Sequence, residues 1–129
     1  MASKQRSLTN RILGADPTAV GTDPDYRFTL ANERTFLAWI RTAMALVAGG
    51  LGAIHLIPDT LGSETLGLLL LALAFVTSAS AYRRWFKSEQ AIRLGQPLPS
   101  SRLPQVIAYA IAIVAVITAL LFVIDGFEK

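Results

Sequence analysis

With 129 residues, 53% of them hydrophobic and only 16% charged, the chain is too apolar for a soluble domain of its length, and its composition places it in a membrane. The absence of cysteine excludes disulfides, thiolate metal ligands and a cysteine nucleophile together. The formal net charge of +3 is not the mark of a nucleic-acid surface, because the cations stand beside apolar runs and report topology instead.

Residues 1–25 are polar, with Lys4, Arg6 and Arg11 among turn formers at Gly14, Pro17, Gly21 and Pro24. They hold no apolar run of signal-peptide length and read as a mobile cytoplasmic tail ahead of a three-helix transmembrane domain, residues 26–129. Tyr26, Arg27 and Phe28 suit the headgroup layer, and Thr29 is placed to cap a first helix over residues 29–57. From Phe36 to Ile57 the single formal charge is Arg41, and at about 1.5 Å of rise per residue this run crosses a hydrocarbon core of about 30 Å. Pro58 ends it, and the short loop with Asp59 and Glu64 makes the first two helices antiparallel neighbours.

A second helix is predicted over residues 63–94, capped by Ser63. It crosses the membrane in the uncharged stretch 65–82 and continues as a basic extension until Gly95 stops it. Arg83, Arg84, Lys87 and Arg93 on that extension are expected to contact anionic lipids. A third helix over residues 104–124 opens on Pro104, where no N–H is missed, and Ala108, Ala112, Ala115 and Ala119 form its expected packing face. All of the 12 Lys and Arg residues except Lys129 precede the core of the first helix or lie in the second connection. The expectation is therefore an all-α membrane protein with three transmembrane helices, N-terminus cytoplasmic and C-terminus extracytoplasmic.

Arg34, Ala38, Arg41, Ala45, Ala48, Gly52 and His55 alternate spacings of four and three, so they share one side of the first helix. Small side chains that admit another helix alternate there with the segment's only strongly polar groups. That side is expected to face protein or water, with Ala38, Ala45, Ala48 and Gly52 as helix-packing positions and Arg34 and Arg41 as contacts for an anion or polyanion. The simpler role for Arg34 is snorkelling to the headgroups; Arg41 lies nearly two turns deeper. His55 and Asp59 are four apart, but beside a helix end such a pair more simply caps or faces the interface. With no phosphate-binding glycine loop, Ser/His/Asp set or histidine pair, no enzyme activity, metal or cofactor is expected.

The run Ala31-Asn32-Glu33-Arg34-Thr35-Phe36-Leu37-Ala38-Trp39-Ile40-Arg41-Thr42 resembles the YidH-like family of small bacterial inner-membrane proteins of unknown function. In the form A-N-E-R-T-F-L-x-W it is also similar to the signature of the three-helix membrane domain in subunits of the eukaryotic vacuolar transporter chaperone. That complex is a polyphosphate polymerase that passes its product across a membrane. The likeness in layout covers roughly residues 26–124. It implies a multi-pass protein of the bacterial inner (plasma) membrane, with Asn32, Glu33, Thr35 and Trp39 supporting the motif and a helical module assembling around an arginine-lined axis. Of the shared run only Arg34 carries over as a polyanion contact. Arg41 does not, and these residues include no soluble polymerase domain, so polyphosphate synthesis is not implied.

Two functions follow as expectations. One is a homo-oligomeric assembly or accessory module, packed through the arginine and small-residue stripe against itself or a membrane-protein partner. The alternative is an anion-conducting or polyanion-translocating pore lined by Arg34 and Arg41.

Overall fold

Inside lipid a long apolar run has one local way to satisfy its backbone hydrogen bonds, the α-helix, and three such runs dominate this chain. The computed structural model describes residues 16–57 and 61–127. It contains a 3-10 turn at Pro17–Ala19 followed by α1 (Tyr26–Leu56), α2 (Leu61–Arg93) and α3 (Leu103–Phe127). The stretches Tyr26–Leu56, Gly62–Arg93 and Leu103–Ile124 are long and apolar enough to cross a membrane.

The helix ends differ from expectation in instructive ways. α1 starts at Tyr26 because Asp25, a stronger cap than Thr29, accepts from the Arg27 N–H through Oδ1 at 3.0 Å and from the Phe28 N–H through its carbonyl at 3.1 Å. Thr29 is thereby left inside the helix with its hydroxyl free for another task. Likewise α2 starts at Leu61, so Ser63 is a buried residue of the first turn rather than the cap. The loop residues Pro58, Asp59 and Thr60 lie outside the described residues. Gly95 does stop α2, at φ +64°. Its N–H donates to the Ile92 carbonyl at 3.3 Å and that of Gln96 to the Ala91 carbonyl at 2.9 Å, the paired bonds of a Schellman cap. α3 is capped by Ser101, whose Oγ accepts from the Leu103 N–H at 3.2 Å, with Pro104 in the first turn.

The chain divides into two compact units, and α1 and α2 each contribute to both. One comprises the chain up to Leu37 together with Tyr82–Pro99. In it Asp16 caps the 3-10 turn by accepting from the Thr18 N–H at 2.9 Å, and the following residues reach the end of α2. There the Thr22 N–H donates to the Arg93 carbonyl at 3.3 Å. Gly21, at φ +70°, lies so close to Arg93 that a Cβ would overlap its carbonyl oxygen. The described part of the expected tail is thus bound to α2.

The other unit comprises Ala38–Ala81 and Ser100–Lys129. Here α1 buries Ala43, Leu46, Gly50 and Ala53. Gly50 and Gly67 face each other: a Cβ on the first would lie 2.9 Å from the Gly67 carbonyl oxygen, and one on the second 2.8 Å from that of Gly50. Close approach of this kind is how helices gain contact where lipid removes the hydrophobic drive. Thr77 is fully buried, and its Oγ1 donates to the Leu73 carbonyl at 2.7 Å, so its hydroxyl is not stranded. α3 buries Ile107, with Leu103, Ala110 and Val114 half-buried on the same side, while Ala108, Ala112, Ala115 and Ala119 are exposed. The alanine line is therefore not the face through which α3 packs within this chain. Apolar residues surround α3, so periodicity alone did not determine its inward side.

Candidate functional site

On α2, Trp85, Glu89 and Arg93 follow at intervals of four, and on α1, Thr29, Asn32 and Phe36 follow at three and four, so each set lies on one side of its helix. They meet. Glu89 is 2% exposed, and a carboxylate so buried requires donors. Its Oε1 accepts from Thr29 Oγ1 at 3.2 Å and lies 3.5 Å from Arg93 Nε, while Oε2 accepts from Asn32 Nδ2 at 3.3 Å. The same Nδ2 donates to the Trp85 carbonyl at 3.1 Å. Both partners only accept, so the amide of Asn32 must turn its NH₂ rather than its oxygen towards α2.

Arg93 extends the cluster outward. Its side chain is 12% exposed, and Nη1 donates to Asp23 Oδ1 at 3.0 Å. Aromatic rings meet at Trp85, with Phe36 and Trp85 centroids 6.2 Å apart and Tyr82 and Trp85 centroids 6.0 Å apart. Glu89 thus meets donors from both helices. The chemistry suits recognition of one helix by another.

Of the expected motif-supporting residues, Asn32 makes these contacts. Glu33 is exposed, Trp39 is half-buried, and the exposed Thr35 donates from Oγ1 to the Ala31 carbonyl of its own helix at 3.1 Å. Of the four cations assigned to lipid, Arg83 and Lys87 are exposed and Arg84 is half-buried, whereas Arg93 is held by Glu89 and Asp23. Sequence reasoning missed Glu89. Two signals pointed to it: it is the lone acid of the basic extension, four residues before Arg93 in the favourable order, and Asn32 on a largely apolar helix needs an acceptor.

The arginine stripe lies elsewhere. Arg34, Ala38, Arg41, Ala45, Ala48 and His55 are exposed and Gly52 is half-buried. A Cβ on Gly52 would approach only Leu56 of its own helix, at 3.9 Å. The inward line of α1 runs instead through Asn32, Phe36, Trp39, Ala43, Leu46, Gly50 and Ala53, which at 3.6 residues per turn is the opposite side. Arg27, seven residues before Arg34 and also exposed, extends the stripe. Arg93 pairs with Asp23 and Glu89, and among the described residues Arg27, Glu33, Arg34 and Arg41 join no ion pair. No three His, Asp or Glu side chains gather for a metal among the described residues, and Asp59, the expected neighbour of His55, lies outside them.

Residues 27–91, which hold the Thr29, Asn32, Trp85 and Glu89 part of the cluster, match the family described as a domain of unknown function, DUF202. An uncharacterized protein of Mycobacterium tuberculosis is 40% identical over 112 residues, covering 84% of this chain and 92% of its own. The inner membrane protein YidH of Escherichia coli strain K12 is 45% identical over 101 residues, covering 76% of this chain and 88% of its own, and YidH of Shigella flexneri gives the same figures. No solved structure matches. The family match, the identity to YidH and the three apolar helices lead to one conclusion: the chain belongs to the DUF202 family of YidH-like proteins of unknown function and is a multi-pass protein of the bacterial inner membrane.

Proposed function

We propose that the protein is a non-enzymatic, homo-oligomeric module of the inner membrane whose α1 helices meet through the side bearing Arg34, Ala38, Arg41, Ala45 and Ala48. One observation carries this reading. The chain's own packing runs along the opposite side of α1 and leaves two arginines and three alanines uncovered on a membrane-spanning helix. Facing lipid at the bilayer centre, an arginine costs roughly 2.5 to 3.5 kcal/mol, and less where it snorkels. A second helix approaching over the alanines shields it and adds packing contacts. The cation count supports a cytoplasmic N-terminus and an extracytoplasmic C-terminus, with Arg83 and Lys87 against anionic headgroups on the inner side.

A second reading rests on Arg41, which lies within the apolar run with no acid paired to it among the described residues. In this version the assembly passes anions, and Arg41 lowers the barrier to negative charge.

Light scattering of the purified protein in detergent should give a multiple of the monomer mass, reduced by Ala48→Leu; a monomeric wild type overturns the assembly. In reconstituted vesicles, anion flux that is lost in Arg41→Leu and intermediate in Arg41→Lys establishes conduction, and an oligomer without flux leaves assembly alone.

A further inference from the structure

We propose that the assembly is keyed by an ion pair between copies, Glu33 of one chain with Arg34 of the next, and that Arg41 stays outside this pairing. The proposal rests on the homo-oligomeric reading and names its contact. Glu33 and Arg34 are consecutive, so on a helix their side chains diverge by about 100° and do not face each other.

Intrahelical partners are also missing. Three and four residues from Glu33 stand Thr29, Leu30, Phe36 and Leu37, and from Arg34 stand Leu30, Ala31, Leu37 and Ala38, with no opposite charge in either set. Both side chains are exposed, and neither joins an ion pair among the described residues.

Between them on the helix surface lie Leu30 and Leu37, 48% and 53% exposed. The result is an apolar strip with an acid along one edge and a base along the other. Such a strip complements a rotated copy of itself, because the acidic edge of one helix meets the basic edge of its neighbour. That is a heterologous contact, the kind that generates a ring where the rotation between copies closes. Copies inserted with the same topology stand at the same depth, so position 33 of one chain meets position 34 of the next with a height difference of about 1.5 Å.

Arg41 lies about 10 Å further along α1. At that depth the spanning runs 38–56 and 65–82 contain no Asp or Glu, so a neighbouring copy offers it no carboxylate from them. One arginine joins the copies while the other is left for water, an anion or a different partner.

Glu33→Arg and Arg34→Glu should each weaken the oligomer by about tenfold or more, and the double reversal should restore it, since an arginine then meets a glutamate across the contact. The chain has no cysteine, so a second test needs no background removal. Differently tagged Glu33→Cys and Arg34→Cys chains, expressed together and oxidised, should form a mixed disulfide dimer, and this result stands even where reversed charges block insertion. An oligomer indifferent to both reversals, with no mixed dimer, overturns the pairing and leaves the assembly intact. A monomeric wild type overturns both.

Discussion

Between residues 29–36 of α1 and 82–93 of α2 the helices meet through a buried carboxylate, an amide and an aromatic cluster; in residues 43–53 and 67–77 of the same helices they meet through glycine, alanine and one threonine that bonds only its own helix. The difference follows the medium. A polar contact is specific because Glu89 is costly to bury without its donors and inexpensive with them. Within the apolar span such a group would be paired at greater risk, and what distinguishes one oily neighbour from another is how closely two backbones approach. The hairpin therefore uses recognition by hydrogen bonds in one unit and recognition by shape in the other.

The largest test of this contrast is Gly67→Leu. A side chain there overlaps Ile54 and presses on the Gly50 carbonyl, and backbone has little room to give, so a loss on the order of 3 kcal/mol is expected in thermal unfolding in detergent. Loss of comparable size from Gly49→Leu, whose added Cβ meets only Leu70 at 3.8 Å, would show that the glycine pair has no special standing.

Next is Asn32→Leu, which takes the second donor from the Trp85 carbonyl, leaving it only its helical bond, and leaves Glu89 short of a donor, at roughly 2 kcal/mol. The double variant Asn32→Leu with Glu89→Leu should cost less than the two single changes summed, because removing both partners removes the stranded charge. Strict additivity would mean that the amide and the carboxylate do not act together.

The smallest effect belongs to Asp23→Ala. The Asp23 carboxylate is 93% exposed, so its ion pair with Arg93 is screened and worth about 0.5 kcal/mol or less. Faster amide exchange at Thr22 with unchanged unfolding temperature is the expected signature, and a large drop in that temperature would make the outer arm of the cluster as important as its core.

The helices were legible because length and apolarity alone decide whether a run spans a bilayer, and Gly95 and Pro104 stand where backbone geometry needs them. The caps were less so, since Asp25 and Thr29 both qualify and only their competition selects the first. Asn32 was legible as part of a motif but its purpose was not, because Glu89 lies more than fifty residues away in an extension whose prevailing charge is positive. The inward side of α1 was the hardest to read. Small residues occur on both of its faces, Ala45 and Ala48 on one and Ala43, Gly50 and Ala53 on the other. Periodicity detects both stripes equally. The tie is broken by Gly67, a residue of another helix.

The double grip of Asn32 has a mechanical consequence. Its one nitrogen holds the Trp85 carbonyl and the Glu89 carboxylate, groups a single turn apart on α2. A slide of α2 by one residue shifts these acceptors by about 1.5 Å and swings them by about 100°, which breaks both bonds at once. The two helices therefore have no gradual sliding mode at this point: the amide works as a detent, and any signal passed along the hairpin must either tilt the helices around it or jump a whole turn to the next notch.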